Sequence, residues 1–146
     1  YLLEKEACDQ NSINMIDFHV YSRDVHSIET ILNAQKLFSK IEYPAIMHCK
    51  SGADRTGFMG VLYKHFYMNE PIEVALSQLS LKYLHIKQGK TGILDFFFLD
   101  YLLYSSQRKI SFLDWVINVY DPVELKVKFM KQWSGNPITE LILRRE

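Results

Sequence analysis

One stretch, residues 43–68, constrains this chain more than any other. Pro44 ends a helical pattern, Ala45-Ile46-Met47 is a short and wholly apolar run, and His48-Cys49-Lys50-Ser51-Gly52-Ala53-Asp54-Arg55-Thr56-Gly57 follows as a polar, glycine-containing loop. A helix is predicted to start near Arg55 and to run to about Met68. An apolar run this short, bounded by chain breakers, suits a parallel strand buried on both faces. Strand, loop and helix in that order predict an α/β fold.

The remaining elements are read around that unit. Residues 1–14 predict a short helix and a turn. In residues 15–21, Ile16, Phe18 and Val20 alternate with Asp17 and His19, a period-2 pattern that predicts a strand, and Ser22-Arg23-Asp24 breaks it as a loop. From Ser27 the spacing turns helical, with Ile28, Ile31, Leu32, Leu37 or Phe38, and Ile41 on one side. Asn69-Glu70-Pro71 opens a helix that ends by Leu81. Residues 82–92 form a basic, glycine-bearing connection without an acid. Helices are predicted over 93–106, 111–119 and from Pro122 towards Trp133, with a turn at Ser134-Gly135-Asn136-Pro137. The expected architecture is a three-layer α/β sandwich, its small and mostly parallel sheet flanked by helices and its C-terminal half helical, in one domain spanning residues 1–146.

Composition narrows what such a chain can do. Of 146 residues, 48% are hydrophobic, which argues against disorder. Lys plus Arg equals Asp plus Glu at 17 each, which argues against a general nucleic-acid binder. No apolar stretch approaches the roughly 20 residues that span a bilayer. The opening Tyr1-Leu2-Leu3-Glu4-Lys5 does not read as a signal peptide. Cys8 and Cys49 make no disulfide framework, and a reactive Cys49 calls for a reducing, cytoplasmic setting. No His or Cys pair has zinc-ligand spacing, so neither a metal nor another cofactor is expected. The absence of Met at position 1 is read as the loss of an N-terminal portion of the domain, leaving a sheet edge open to pairing with a second copy.

Chemistry concentrates in residues 48–57. A loop of this kind turns successive backbone N–H groups inward as an anion nest, formed here by Lys50, Ser51, Gly52, Ala53 and Asp54, and the following helix adds its dipole. Gly52 supplies a backbone position free of Cβ restrictions. Arg55 offers a planar fork that can hold two phosphate oxygens. A cysteine sulfur among such donors is expected to be a thiolate near neutral pH and a nucleophile. Thr56 can give its hydroxyl to that sulfur. Gly57 and Gly60 share a helix face and permit close packing. Asp54 is the discordant residue, an acid beside an anion site, expected to face outward and to pair with Lys50 or a neighbour.

The pattern His-Cys-x-x-Gly-x-x-Arg-Thr-Gly resembles the signature loop of the cysteine-based protein tyrosine phosphatase superfamily, and most of all its small bacterial dual-specificity branch. The segments Gly92-Ile93-Leu94-Asp95-Phe96-Phe97, Phe112-Leu113-Asp114-Trp115-Val116 and Tyr120-Asp121-Pro122 also look like those proteins. The resemblance implies Cys49 as nucleophile, Arg55 as phosphate clamp, His48 tuning the thiolate from behind and Thr56 assisting breakdown of the intermediate. It further implies a general acid on a loop upstream, a place that Asp24 fits, with Asp17 and His26 as alternatives. The substrate expected is a phosphorylated protein or a small phosphoester. Lys50 is similar to a lysine of lipid-directed members, and a phosphoinositide is the alternative substrate. A catalytically silent phosphopeptide-binding module, an arsenate reductase and a sulfurtransferase are the competing functions.

Overall fold

The computed structural model describes residues 1–134, and its centre is a helix rather than a sheet. The elements are α1 (Leu2–Gln10), α2 (Ile28–Lys40), α3 (Asp54–Phe66), α4 (Ile72–Ala75), α5 (Ile93–Gln107), α6 (Phe112–Asn118) and α7 (Pro122–Ser134). Tight 3-10 turns at Leu76–Gln78, Leu81–Tyr83 and Lys90–Gly92 link α4 to α5. The turn expected after Ser134 lies outside the described residues.

Local chemistry explains where the helices begin. The Ser27 hydroxyl accepts from the Thr30 N–H at 3.1 Å, and Ser111 accepts from the Asp114 N–H at the same distance. Asp121 Oδ1 accepts from the Val123 and Glu124 N–H groups and opens α7. On α2, Ile31, Ala34 and Phe38 make the buried stripe, spaced for one helix face. In α3, by contrast, every residue from Gly57 to Leu62 is buried, so the helix is enclosed on all sides. It packs against α2, α4 and the Leu76–Gln78 turn. Gly57 and Gly60 make that approach close: a Cβ on Gly57 would lie 3.0 Å from the Gln78 carbonyl oxygen. Phe58 then meets Phe97 and Phe98 of α5, which continue into Phe112, Trp115 and Tyr120 as one aromatic core. Each such fully buried side chain contributes about 1.5–3 kcal/mol.

This architecture overturns the α/β sandwich. Among the described residues there is no strand and therefore no sheet, parallel or otherwise. Neither residues 15–21 nor residues 45–47 pair: no backbone hydrogen bond joins either segment to another among the described residues. The alternation in 15–21 reflects one-sided packing, since Val20 is buried and Phe18 packs on the core while Ile16 faces out. Residues of this segment line an open cleft with the C-terminal half of α2, so it lies along a helix. The apolar run fails more plainly. Ile46 is 95% exposed, whereas a central parallel strand is covered on both faces. Burial that a sheet would have supplied comes instead from α3. With no sheet there is no sheet edge, and the expected pairing of copies through one loses its basis. No helix among the described residues is long and apolar enough to cross a membrane.

One buried histidine ties the N-terminal irregular segment to this core. His26 stacks on Phe58 with ring centroids 4.2 Å apart, and its Nε2 accepts the Tyr21 N–H at 3.0 Å. Its carbonyl accepts the Tyr120 hydroxyl at 2.7 Å. Burial drives its pKa from the ordinary 6.5 to about 4, holding the ring neutral. Between those values the unfolded chain binds a proton that the folded chain refuses, so this contribution is intact above 6.5 and falls as pH drops towards 4. The loss is expected to reach about 3 kcal/mol. Urea unfolding from pH 7 to pH 4 is the check. The pH-dependent loss should shrink in His26→Gln, which keeps an acceptor for Tyr21 and cannot titrate in this range.

Candidate functional site

The loop between residues 48 and 54 is shaped from its C-terminal side. Gly52 takes φ +72°, in the left-handed region, and a Cβ there would touch nothing within 4 Å, so the demand for glycine is one of backbone conformation alone. Ala53 then precedes the first turn of α3, whose free N–H groups face back into the loop. Cys49, half-buried, sits where these groups converge. Burial pushes its thiol pKa up, but the Thr56 hydroxyl and the N–H groups of Ser51, Thr56 and Gly52 outweigh it and bring the value down to about 7. The Thr56 hydroxyl oxygen is buried and makes no hydrogen bond of ordinary geometry, yet it lies close enough to Cys49 to help hold the thiol pKa down.

The charged residues of the loop divide into two kinds. Among the described residues, no ion pair engages Arg55 or the exposed Lys50. Asp54 is partnered, though with neither Lys50 nor an adjacent residue. Its Oδ1 accepts from Nδ1 of His85 at 2.7 Å, and Nε2 of the same ring donates to Asp95 Oδ2 at 2.6 Å. His85 is fully buried, so one imidazole bridges the first residue of α3 and the first turn of α5. Burial alone would lower the His85 pKa, and the hydrogen bonds from Asp95 and Asp54 raise it above the ordinary value.

His85 and Asp95 escaped the sequence reading. A histidine inside a basic connection carries no pattern of its own. Asp95 does leave a signal, being the lone acid in the apolar run Ile93-Leu94-Asp95-Phe96-Phe97-Phe98-Leu99, where a buried acid needs a partner.

Of the other expected site residues, His48, Asp24 and His26 find their hydrogen-bond and ion-pair partners outside this cluster. His48 is exposed, and its Nε2 binds Glu4 of α1 at 2.5 Å, so the ring turns outward. Asp24 is half-exposed, bonded to the Val25 N–H and paired with Lys126 of α7 at 2.8 Å. The Lys126 hydrogen bond is the main reason its carboxyl is held below the usual range. Asp17 is exposed beside an open cleft of about 480 Å³ that Tyr1, Lys5 and Asp9 also line. His26 is the buried residue described above. Neither that cleft nor the one beside α2 includes a residue of the Cys49 loop.

Comparison with family models, curated proteins and solved structures finds no match to this chain. What the chain itself shows is a half-buried cysteine beside the N–H groups of Ser51, Gly52 and Thr56, with its thiol pKa lowered to about 7. Alkylation of Cys49 by iodoacetamide, followed in Cys8→Ser protein, should titrate with a midpoint near 7. Thr56→Val removes the hydroxyl with little change in shape, and should move that midpoint upward; a midpoint that stays put would deny the hydroxyl its role.

Proposed function

We propose that this protein is a cysteine-dependent phosphatase of the tyrosine or dual-specificity kind, hydrolysing phosphomonoesters through a phosphocysteine intermediate. The observation that carries the reading is the convergence on Cys49 of the Thr56 hydroxyl and the N–H groups of Ser51, Gly52 and Thr56, at the start of a helix whose second residue is Arg55. The same groups that stabilise a thiolate are suited to the oxygens of a phosphoryl group. Arg55 grips two of those oxygens, and Lys50 stands at the rim.

The proposed reaction runs in two steps. Cys49 Sγ attacks phosphorus in line, a sulfur–phosphorus bond forms, and the bond from phosphorus to the ester oxygen breaks. The leaving oxygen takes a proton from the general acid, to which we assign Asp24. Water then attacks phosphorus and gives its proton to the same carboxylate. The sulfur leaves as thiolate, stabilised by Thr56, and inorganic phosphate is released. The substrate we favour is a phosphotyrosine-bearing protein in the cytoplasm. The competing reading is a silent phosphopeptide-binding module, and the Lys126 pair favours it, since a salt-bridged carboxylate is a poor proton donor.

Turnover of p-nitrophenyl phosphate, inhibited by vanadate, is the expected result. Cys49→Ser should lower kcat by at least about a thousandfold. Phosphopeptide binding without any turnover in the wild-type protein would instead select the silent module.

A separate test addresses the acid. Asp24→Asn should lower kcat by about a hundredfold with KM little changed. Lys126→Met removes the group that holds the Asp24 pKa down, and the basic limb of the kcat profile should move to higher pH. A limb that stays in place would assign the proton to another group.

A further inference from the structure

The acid inside the anion loop, Asp54, needs an explanation that the loop alone does not contain. A carboxylate on the first residue of α3 adds negative charge beside a loop read as holding an anion, and it adjoins Arg55 in the chain. His85 meets that charge from behind. Its ring is fully buried and lies between two acceptor-only groups, Asp54 Oδ1 at 2.7 Å and Asp95 Oδ2 at 2.6 Å. An imidazole in that position satisfies both carboxylates only when both nitrogens carry protons.

The chain makes a sizeable local concession to bring His85 there. Leu84 adopts φ +62°, in the left-handed region, with its own side chain 76% exposed. A non-glycine residue is strained in that conformation, because its Cβ crowds the following carbonyl oxygen. Leu84 therefore gains nothing from its own burial, and the turn's effect is to carry the next side chain inward. The His85 N–H closes the turn on the Ser80 carbonyl at 3.1 Å. On the far side, Gly92 lets the chain pass close enough to start α5 under the ring: a Cβ at this position would lie 2.0 Å from the Lys87 carbonyl oxygen. The result is an α5 whose first turn presents Asp95 to His85.

We propose that His85 is a positioning residue for the oxyanion cradle, a buried imidazolium that neutralises Asp54 and fixes the first turn of α3 so that the loop accepts a tetrahedral dianion such as phosphate. His85 touches neither Cys49 nor the anion; it acts through Asp54. Asp95 supplies the second carboxylate that keeps the ring doubly protonated and immobile. The bridge also explains why an acid is tolerated beside Arg55: its charge is already satisfied, so the guanidinium remains available to the anion. This inference rests on reading residues 49–55 as an oxyanion cradle, and the experiment separates the two.

Binding of inorganic phosphate is measured by titration calorimetry at pH 7 for the wild type, His85→Gln and the double variant Asp54→Asn/His85→Gln. His85→Gln leaves the Asp54 charge uncompensated, and the dissociation constant should rise about tenfold. The double variant removes the charge along with its neutraliser and should recover most of that loss. A wild-type protein that binds no phosphate overturns the cradle reading and this inference with it. Wild-type binding with an unchanged constant in His85→Gln, or no recovery in the double variant, overturns the inference alone. A measurement on the unmodified protein guards against variants that fail to fold. Nitrogen–proton correlation spectra should show both His85 ring nitrogens protonated at pH 7, and a neutral tautomer would overturn the proposal.

Discussion

The close contact between α3 and the Leu76–Gln78 turn sets the position of everything that follows. Gly57 and Gly60 leave no side chain between the helix and Gln78. α3 can therefore sink until Phe58, Val61 and Leu62 are wholly excluded from water. Those burials hold the helix axis, and with it the direction in which its first N–H groups point. The loop before it inherits that direction. An anion site at a helix N-terminus is only as well placed as the helix, and here residues 57–62 of the helix are all buried.

Three acids that bear on the proposed site each have a partner. Asp54 is occupied by His85, Asp24 by Lys126 and Glu4 by His48. These pairs differ in kind. The exposed ones at Glu4 and Asp24 are screened and contribute little to stability. The buried bridge at His85 is strongly coupled and would be costly to break on one side only, since that leaves an uncompensated charge indoors. Asp54 is thus the one acid near the cradle whose neutralisation is built into the core. Arg55 and Lys50 enter no ion pair among the described residues.

How much of this was legible depends on whether the signal was local. The helices from Ile93 onward announce themselves through caps and breakers, Ser111 and Asp121-Pro122 among them, and their observed bounds lie close to those read from the pattern, whereas the helix expected from Pro71 to Leu81 stops at Ala75 and goes on only as short 3-10 turns. The Cys49 loop could be picked out as a unit because its residues are consecutive in the chain. The sheet was misread for a physical reason. Alternation in 15–21 records which side chains face the core, and it does so whether or not the backbone finds a partner strand; Val20 and Phe18 pack inward without one. Three apolar residues, Ala45-Ile46-Met47, carry still less information, and Ile46 is out in solvent. His85 was illegible because its role comes from two partners 31 and 10 residues away, joined only by the fold.

The loss of the sheet changes where the cradle draws its rigidity. In a strand, loop and helix unit, the nucleophile is held from both sides, by the strand that delivers it and by the helix that follows. Here the delivering segment, residues 42–48, is exposed throughout and makes no backbone hydrogen bond to another segment among the described residues. The support comes from downstream: the left-handed turn at Gly52, the buried Ala53, the enclosed α3 and the bridge from Asp54 through His85 to α5. Each of these lies after Cys49 in the chain, and together they connect the loop to the helical half. The bridge at His85 accordingly carries a share of the positioning that a central strand would otherwise supply.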